Sequence, residues 1–188
     1  QPEDAYGVSK WEAEQALLHG ALGTGLETTI LRSPLVYGPG VKGNFLRLMH
    51  WTAREFPLPL ASIHNHRSLV SVDNLADALI RAGTSEHAAG KTYLVSDGVD
   101  LSTPSLIRAI ADALRVRARL YRCPPGLLTI ASALLGKREQ MRRLTGSLQI
   151  DNSRIRRELA WEPPFEPAQG LLRTAQWYYS QFPSKSNT

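Results

Sequence analysis

Tyr6 and Lys10 stand four residues apart in the run Tyr6-Gly-Val-Ser-Lys10, a spacing that sets both on one helix face about a turn apart. An ammonium beside a phenol favours the phenolate, drawing its pKa down from about 10 and fitting it for general acid–base work. A catalytic pair so near residue 1 would leave the usual preceding parts of an enzyme outside these 188 residues. The expectation is therefore a chain that is part of an enzyme.

Other candidates for chemistry fall away. His64 and His66 are two apart with no carboxylate at metal spacing, and Cys123 is the single cysteine, so no internal disulfide and no cysteine-based zinc site can form. No Ser-His-Asp order with a nucleophile elbow occurs. Trp11, Trp51, Trp161 and Trp177 read as core or interface anchors.

The elements that would position the pair follow from pattern. Asp4 is placed to cap a helix running to about residue 19, and Gly20 to Gly25 punctuate it. Residues 28–32, rich in β-branched side chains, read as a short buried strand, and 33–40 as a Pro/Gly loop beyond its carboxyl end. Ligands bind at such strand ends in open α/β sheets. Phe45, Leu48, Met49 and Thr52 carry helical spacing over 44–55 with Asn44 as N-cap, and Phe56-Pro-Leu-Pro59 stops it. Further strands are expected at 67–72, 91–95 and 118–123. Further helices are expected from Asp73, over 102–114 with Pro104 in its first turn, from Pro124 to 135, over 151–159, and over 167–182. Strands alternating with helices make the class α/β. The strands are too few for a complete doubly wound domain, and the sequence has no G-x-x-G-x-x-G turn of the kind that cradles a dinucleotide.

Composition bounds the rest. With 43% hydrophobic and 21% charged residues the chain is globular and able to build a core. No apolar run reaches the roughly 18 residues that span a bilayer, and the lone cysteine suits a reducing, cytoplasmic setting. The net charge of +5 is concentrated in the second half, from Arg108 to Arg157, which suits an anionic partner: nucleic acid, a membrane surface or a phosphorylated small molecule. The basic segment lacks interleaved aromatics and any zinc, helix-turn-helix or RNA-binding signature, so no nucleic-acid partner is expected, and no membrane partner either.

Taken in order, four segments resemble one family. Asp4-Ala-Tyr-Gly-Val-Ser-Lys-Trp-Glu-Ala-Glu14 is followed by Leu31-Arg-Ser-Pro-Leu-Val-Tyr-Gly-Pro39. Arg67-Ser-Leu-Val-Ser-Val-Asp-Asn-Leu-Ala-Asp77 comes next, and Asp151-Asn-Ser-Arg-Ile-Arg-Arg-Glu-Leu-Ala-Trp-Glu-Pro163 closes the set. The set resembles the extended short-chain dehydrogenases/reductases, in particular the NAD-dependent nucleotide-sugar epimerases and dehydratases. The resemblance implies the C-terminal portion of such an enzyme: residues 1–40 as the remnant of the Rossmann-type NAD-binding domain, and 41–188 as mostly the smaller α/β substrate-binding domain with returning Rossmann elements. It implies Tyr6 as acid/base on a sugar hydroxyl, Lys10 on the nicotinamide ribose, and Pro34 against the nicotinamide. Asn44, Arg67 and a later arginine, Arg143 or Arg142, would lie on the diphosphate of a UDP-sugar.

The implied activity is 4-epimerisation of a UDP-hexose with NAD, in bacterial polysaccharide biosynthesis, by a homodimer or self-associating protein. This chain alone would be inactive. A dehydratase or reductase of the same family, and a non-catalytic module for an anionic ligand, remain as alternatives. Two departures stand out: Pro34-Leu35 replaces a frequent Asn-containing pair, leaving Ser33 and Tyr37 as substitutes for a sugar contact, and Ser68 replaces the aspartate that often follows the arginine.

Overall fold

The computed structural model describes residues 5–124, 126–128, 136 and 138–183. Helix α1 (Ala5–Ala21) runs through Gly20, which its continuous hydrogen-bonded turns tolerate, and leads to strand β1 (Ile30–Arg32). The stretch 33–40 is not all loop. Strand β2 (Leu35–Tyr37) lies within it, because the β-prone Leu-Val-Tyr run finds a partner in β3 (Leu69–Ser71). Helix α2 (Gly43–Ala53) precedes β3, helix α3 (Val72–Thr84) follows it, and β4 (Thr92–Leu94) and α4 (Thr103–Leu114) come next. Helices α5 (Arg138–Thr145), α6 (Ser153–Leu159) and α7 (Pro167–Gln181) complete the described elements. The expected Asp4 cap, most of the helix from Pro124 and the last residues lie outside the described residues.

Both strand pairs are parallel: β1 with β4, Arg32 opposite Leu94, and β2 with β3, Tyr37 opposite Ser71. They are sewn together by the chain leaving β4, where Val95 N–H reaches the Arg32 carbonyl at 3.0 Å and Asp97 N–H the Leu69 carbonyl at 2.8 Å. The expected strand at 118–123 reduces to a single bridge, Leu58 with Leu120. Its Ala118 and Leu120, with Val116 before them, pack inward instead, as a covering segment.

Helices form where the apolar spacing and caps agree. Phe45, Leu48, Met49 and Thr52 bury one stripe of α2. Ile107, Ile110 and Leu114 of α4 are each 1% exposed, each contributing roughly 1.5–3 kcal/mol by removal from water. Ser102 caps α4, its hydroxyl accepting from Ser105 N–H at 3.2 Å. These faces meet Leu171, Ala175 and Tyr178 of α7 in one core, while Val70, Tyr93, Val95, Ile155, Leu159 and Trp161 form a second on the other side of the strands. Trp161 is thus a core anchor, with its indole N–H on Asp77 at 2.7 Å. Trp11 and Trp51 are not core anchors; both are exposed.

Candidate functional site

Helix α1 carries Tyr6 in its first turn and an exposed Lys10 one turn on; the Tyr6 side chain lies outside the described residues. One further turn along, Glu14 accepts from Arg32 Nε at 2.9 and 3.1 Å. Arg32 ends β1 and runs straight into Ser33 and the half-buried Pro34. The Arg32 hydrogen bond holds the Glu14 carboxyl below the usual range, and Glu14 holds Arg32 above its own. This pair straps the Tyr6–Lys10 helix to the strand end that presents Pro34.

Past Pro34 the chain lines a pocket of about 370 Å³ that runs from Leu35 to Phe45 and is closed by Val72. Asn44 belongs to it, though not as the expected N-cap. Lys42, with φ −123°, takes that position and makes no side-chain capping bond, so Gly43 begins α2. Asn44 sits in the first turn and accepts from Arg47 Nη2 at 2.9 Å. Among the described residues no side chain caps the first N–H groups of α2 beside Asn44, where they and the helix dipole favour an anion.

Asn44 also borders a second pocket of about 210 Å³, walled by Leu48, Trp51, Leu58, Leu60, Met141 and Leu144 with Arg47 at its edge. Met141 and Leu144 come from α5, the helix that bears Arg142 and Arg143. Arg142 is exposed, and the side chain of Arg143 lies outside the described residues. Arg67 approaches α5 from β3's lead-in. Its backbone pairs with Leu101 in both directions at 3.0 Å, and its Nη1 donates to the Gly146 carbonyl at 3.2 Å. Burial lowers the Arg67 pKa from its ordinary value, which leaves it a cation at neutral pH.

The structure therefore sets Asn44 and α5 on one pocket and Arg67 at the end of α5, and Asn44 also lines the larger pocket, which starts one residue past Pro34. It removes Tyr37 from the candidates: the ring is 1% exposed, stacked on Phe45, and its hydroxyl donates to Asp97 at 2.8 Å. It also accounts for Ser68, whose hydroxyl donates to Asp100 and accepts from Ile150 N–H at 2.8 Å, while Gln149 Nε2 reaches the other Asp100 oxygen at 2.7 Å. A carboxylate is thus present, supplied from residue 100. Sequence reasoning also missed Asn65 and Thr103, which clamp the end of α5. Their one local signal is that Asn65 lies two residues before Arg67.

Comparisons with known proteins identify the family and the fold. The pattern of the NAD dependent epimerase/dehydratase family matches residues 1–96. The chain is 42% identical over 176 residues to a UDP-glucose 4-epimerase of Vibrio cholerae, covering 93% of this chain and 54% of that protein. A Thermotoga maritima UDP-glucose 4-epimerase solved with UDP-glucose superposes with a TM-score of 0.70 at 20% identity, over 96% of this chain and 55% of that one. A Bordetella bronchiseptica enzyme solved with NAD+ and UDP gives 0.72 at 21%, over 96% and 54%. At those identities the structural likeness is one of fold. The chain spans about half the length of the curated relative it matches at 42% identity.

Proposed function

We propose a function on the premise that this chain belongs to the NAD dependent epimerase/dehydratase family: it forms the substrate-binding side of a nucleotide-sugar 4-epimerase acting on a UDP-hexose. The observation that carries this is the apolar pocket of about 210 Å³ between Asn44 on α2 and Met141 and Leu144 on α5. Apolar walls suit a nucleobase, and the polar groups at the edge suit phosphates. Asn44, Arg67 and Arg143 hold the diphosphate in this reading, helped by the uncapped start of α2.

Support for the cofactor is the Glu14–Arg32 strap, which fixes the Lys10 helix beside the Pro34 turn, so that both can face one nicotinamide. Bound NAD would supply an acceptor and donor of hydride. The residues supply protons and position. Lys10 would hold the nicotinamide ribose and favour the Tyr6 phenolate, and Pro34 would lie against the ring. Tyr6 removes the hydroxyl proton at the sugar carbon and returns it once the sugar has presented its other face. The arginines hold the nucleotide while the sugar turns.

Residues 1–40 then belong to the cofactor side and 41–188 mostly to the substrate side. These 188 residues hold no glycine-rich dinucleotide turn, so by themselves they bind a UDP-sugar without turning it over. The exposed Val8, Trp11 and Leu18 of α1 suit a homodimer contact, and the unpaired Cys123 suits the cytoplasm. Among the described residues no helix is long and apolar enough to cross a membrane.

Calorimetric titration with UDP, UDP-glucose and NAD tests the reading. UDP-glucose binding with no measurable NAD affinity is the expected result for the 188-residue chain. In a chain extended to the relatives' length, Tyr6→Phe should abolish epimerisation and keep UDP binding. Absence of UDP binding, with salt-sensitive binding of nucleic acid in its place, overturns it.

A further inference from the structure

We propose that Asn65 is a positioning residue of the diphosphate site, orienting the Arg67 guanidinium through the Gly146 carbonyl and fixing the arginine helix α5 against it. The proposal rests on the reading that Arg67 and α5 hold the diphosphate.

Asn65 is 3% exposed, between the exposed His64 and His66. Its Oδ1 accepts from Thr103 N–H at 2.8 Å. Its Nδ2 donates to Thr103 Oγ1 at 3.0 Å, Leu144 O at 3.2 Å and Gly146 O at 3.0 Å. An amide nitrogen has two hydrogens, so at least one of them is shared among these three acceptors. Thr103, 3% exposed, adds its own hydroxyl bond to Leu144 O at 2.6 Å. The Leu144 carbonyl is among the last four of α5, which have no partner within a helix. Asn65 and Thr103 together therefore cap the carboxyl end of α5.

Gly146 is where this cap meets the cation. Its carbonyl receives both Asn65 Nδ2 and Arg67 Nη1. Its N–H returns to Arg142 O at 2.8 Å, and a Cβ there would lie 2.9 Å from that same oxygen. The joint therefore admits no side chain without displacing the end of α5. With the Asn65 amide removed, the Gly146 carbonyl keeps only Arg67. The acceptor that Arg67 Nη1 uses is then no longer held from its other side, and of the Asn65–Thr103 cap only the Thr103 hydroxyl bond to Leu144 is kept.

A buried asparagine that merely stabilised the fold would weaken every ligand alike or none. A positioning role weakens ligands in proportion to their phosphates. Kd values for UDP and uridine, with Tm alongside, are measured for the 188-residue chain and for Asn65→Asp, Thr103→Val, Thr103→Ser, Gly146→Ala and Asn152→Ala. Asn65→Asp keeps the shape and the acceptor but loses both donors. The expected result is UDP binding weakened about tenfold or more in Asn65→Asp and Thr103→Val with uridine changed by less than about threefold, the size of one lost charge-assisted hydrogen bond.

Thr103→Ser restores UDP binding. Asn152→Ala, at a buried polar site at the start of α6 away from α5, lowers Tm without changing the UDP-to-uridine ratio. Gly146→Ala perturbs the same joint from outside and carries the test if Asn65→Asp fails to fold. Equal losses for UDP and uridine, or an unchanged ratio in both Asn65→Asp and Gly146→Ala, overturn the proposal alone. A wild-type chain that binds UDP no better than uridine overturns the diphosphate reading beneath it.

Discussion

The Tyr37 hydroxyl donates to the Asp97 carboxylate at 2.8 Å across 60 residues of sequence, making β2 and the segment after β4 one unit. The other Asp97 oxygen accepts from Ser71 N–H at 3.0 Å and Asn74 Nδ2 at 2.7 Å, and Asn74 in turn pairs with the Phe165 backbone in both directions. The network ties both strand pairs to the entry of α7. It sits under the larger pocket, whose Leu35–Tyr37 wall it holds in place.

Tyr37→Phe keeps the ring and strips one partner from a buried carboxylate. The expected cost is about 1–3 kcal/mol, the penalty for leaving a buried acceptor unsatisfied. Thermal or urea unfolding measures it. A Tm equal to that of the wild type would show that water or a shifted donor replaces the hydroxyl.

Alkaline unfolding follows from the same phenol. Burial, and then the Asp97 charge, raise the Tyr37 pKa far above its ordinary value. In the unfolded chain it ionises near pH 10. Stability from this residue is therefore complete below about pH 10 and is lost as pH rises beyond it, because only the unfolded state releases the proton. Tyr37→Phe should show a shallower fall of Tm above pH 10, with Tyr93 and Tyr178, also raised by burial first, keeping the remainder.

On the acid side Glu158 contributes, together with the depressed carboxyls of Glu14 and Asp151. Lys91 Nζ at 2.8 Å, Arg154 Nε at 2.9 Å and the Tyr93 hydroxyl at 3.0 Å lower the Glu158 pKa to about 2, the Lys91 bond contributing most. A depressed carboxylate stabilises the fold above its unfolded pKa, near 4.3, and that contribution is lost as pH falls towards 2. Glu158→Gln should flatten the fall in Tm across that window and lower Tm at neutral pH. Parallel melting curves from pH 2 to 7 for the two chains are the check.

What was legible in the sequence was local. Ser102 with Pro104 marked the start of α4, and the Phe45, Leu48, Met49 and Thr52 spacing marked α2, because a cap and a stripe are written within a few residues. Strand β2 was missed because three residues between a proline and a glycine are too short to show alternation, and their partner lies at 69–71. Tyr37 read as a ligand because its true partner is 60 positions away. Asn65 carried no motif, since its acceptors are up to 81 positions on. The Tyr6–Lys10 spacing and the cationic Arg67 were visible as residue types. The joint that sets where Arg67 points was not, for it is made of backbone carbonyls and one amide.

Ala160 closes α6 in the left-handed conformation, at φ 48° and ψ 39°, where a Cβ crowds the backbone and glycine does not. The residue is exposed, so losing its methyl opens no buried cavity. Ala160→Gly is therefore expected to stabilise the chain by about 0.5–1 kcal/mol, the conformational relief exceeding the extra entropy of glycine in the unfolded chain. Urea midpoints at constant m-value would measure it, and a loss of stability would place the cost in the unfolded state.

Arg67 decides between recognition of a diphosphate and mere charge. Its guanidinium is half-buried, its Nη1 donates to Gly146, and the reading assigns a phosphate contact to the same planar group. Lysine preserves the charge but cannot serve a carbonyl and a phosphate in one fixed plane. Arg67→Lys should therefore weaken UDP binding nearly as much as Arg67→Ala, by roughly tenfold or more, the worth of a charge-assisted pair. If charge alone mattered, Arg67→Lys would bind UDP like the wild type and Arg67→Ala would not. Titrating both variants with UDP at two salt concentrations separates the cases, because a bulk electrostatic attraction fades with added salt while a half-buried, geometrically fixed contact is screened far less.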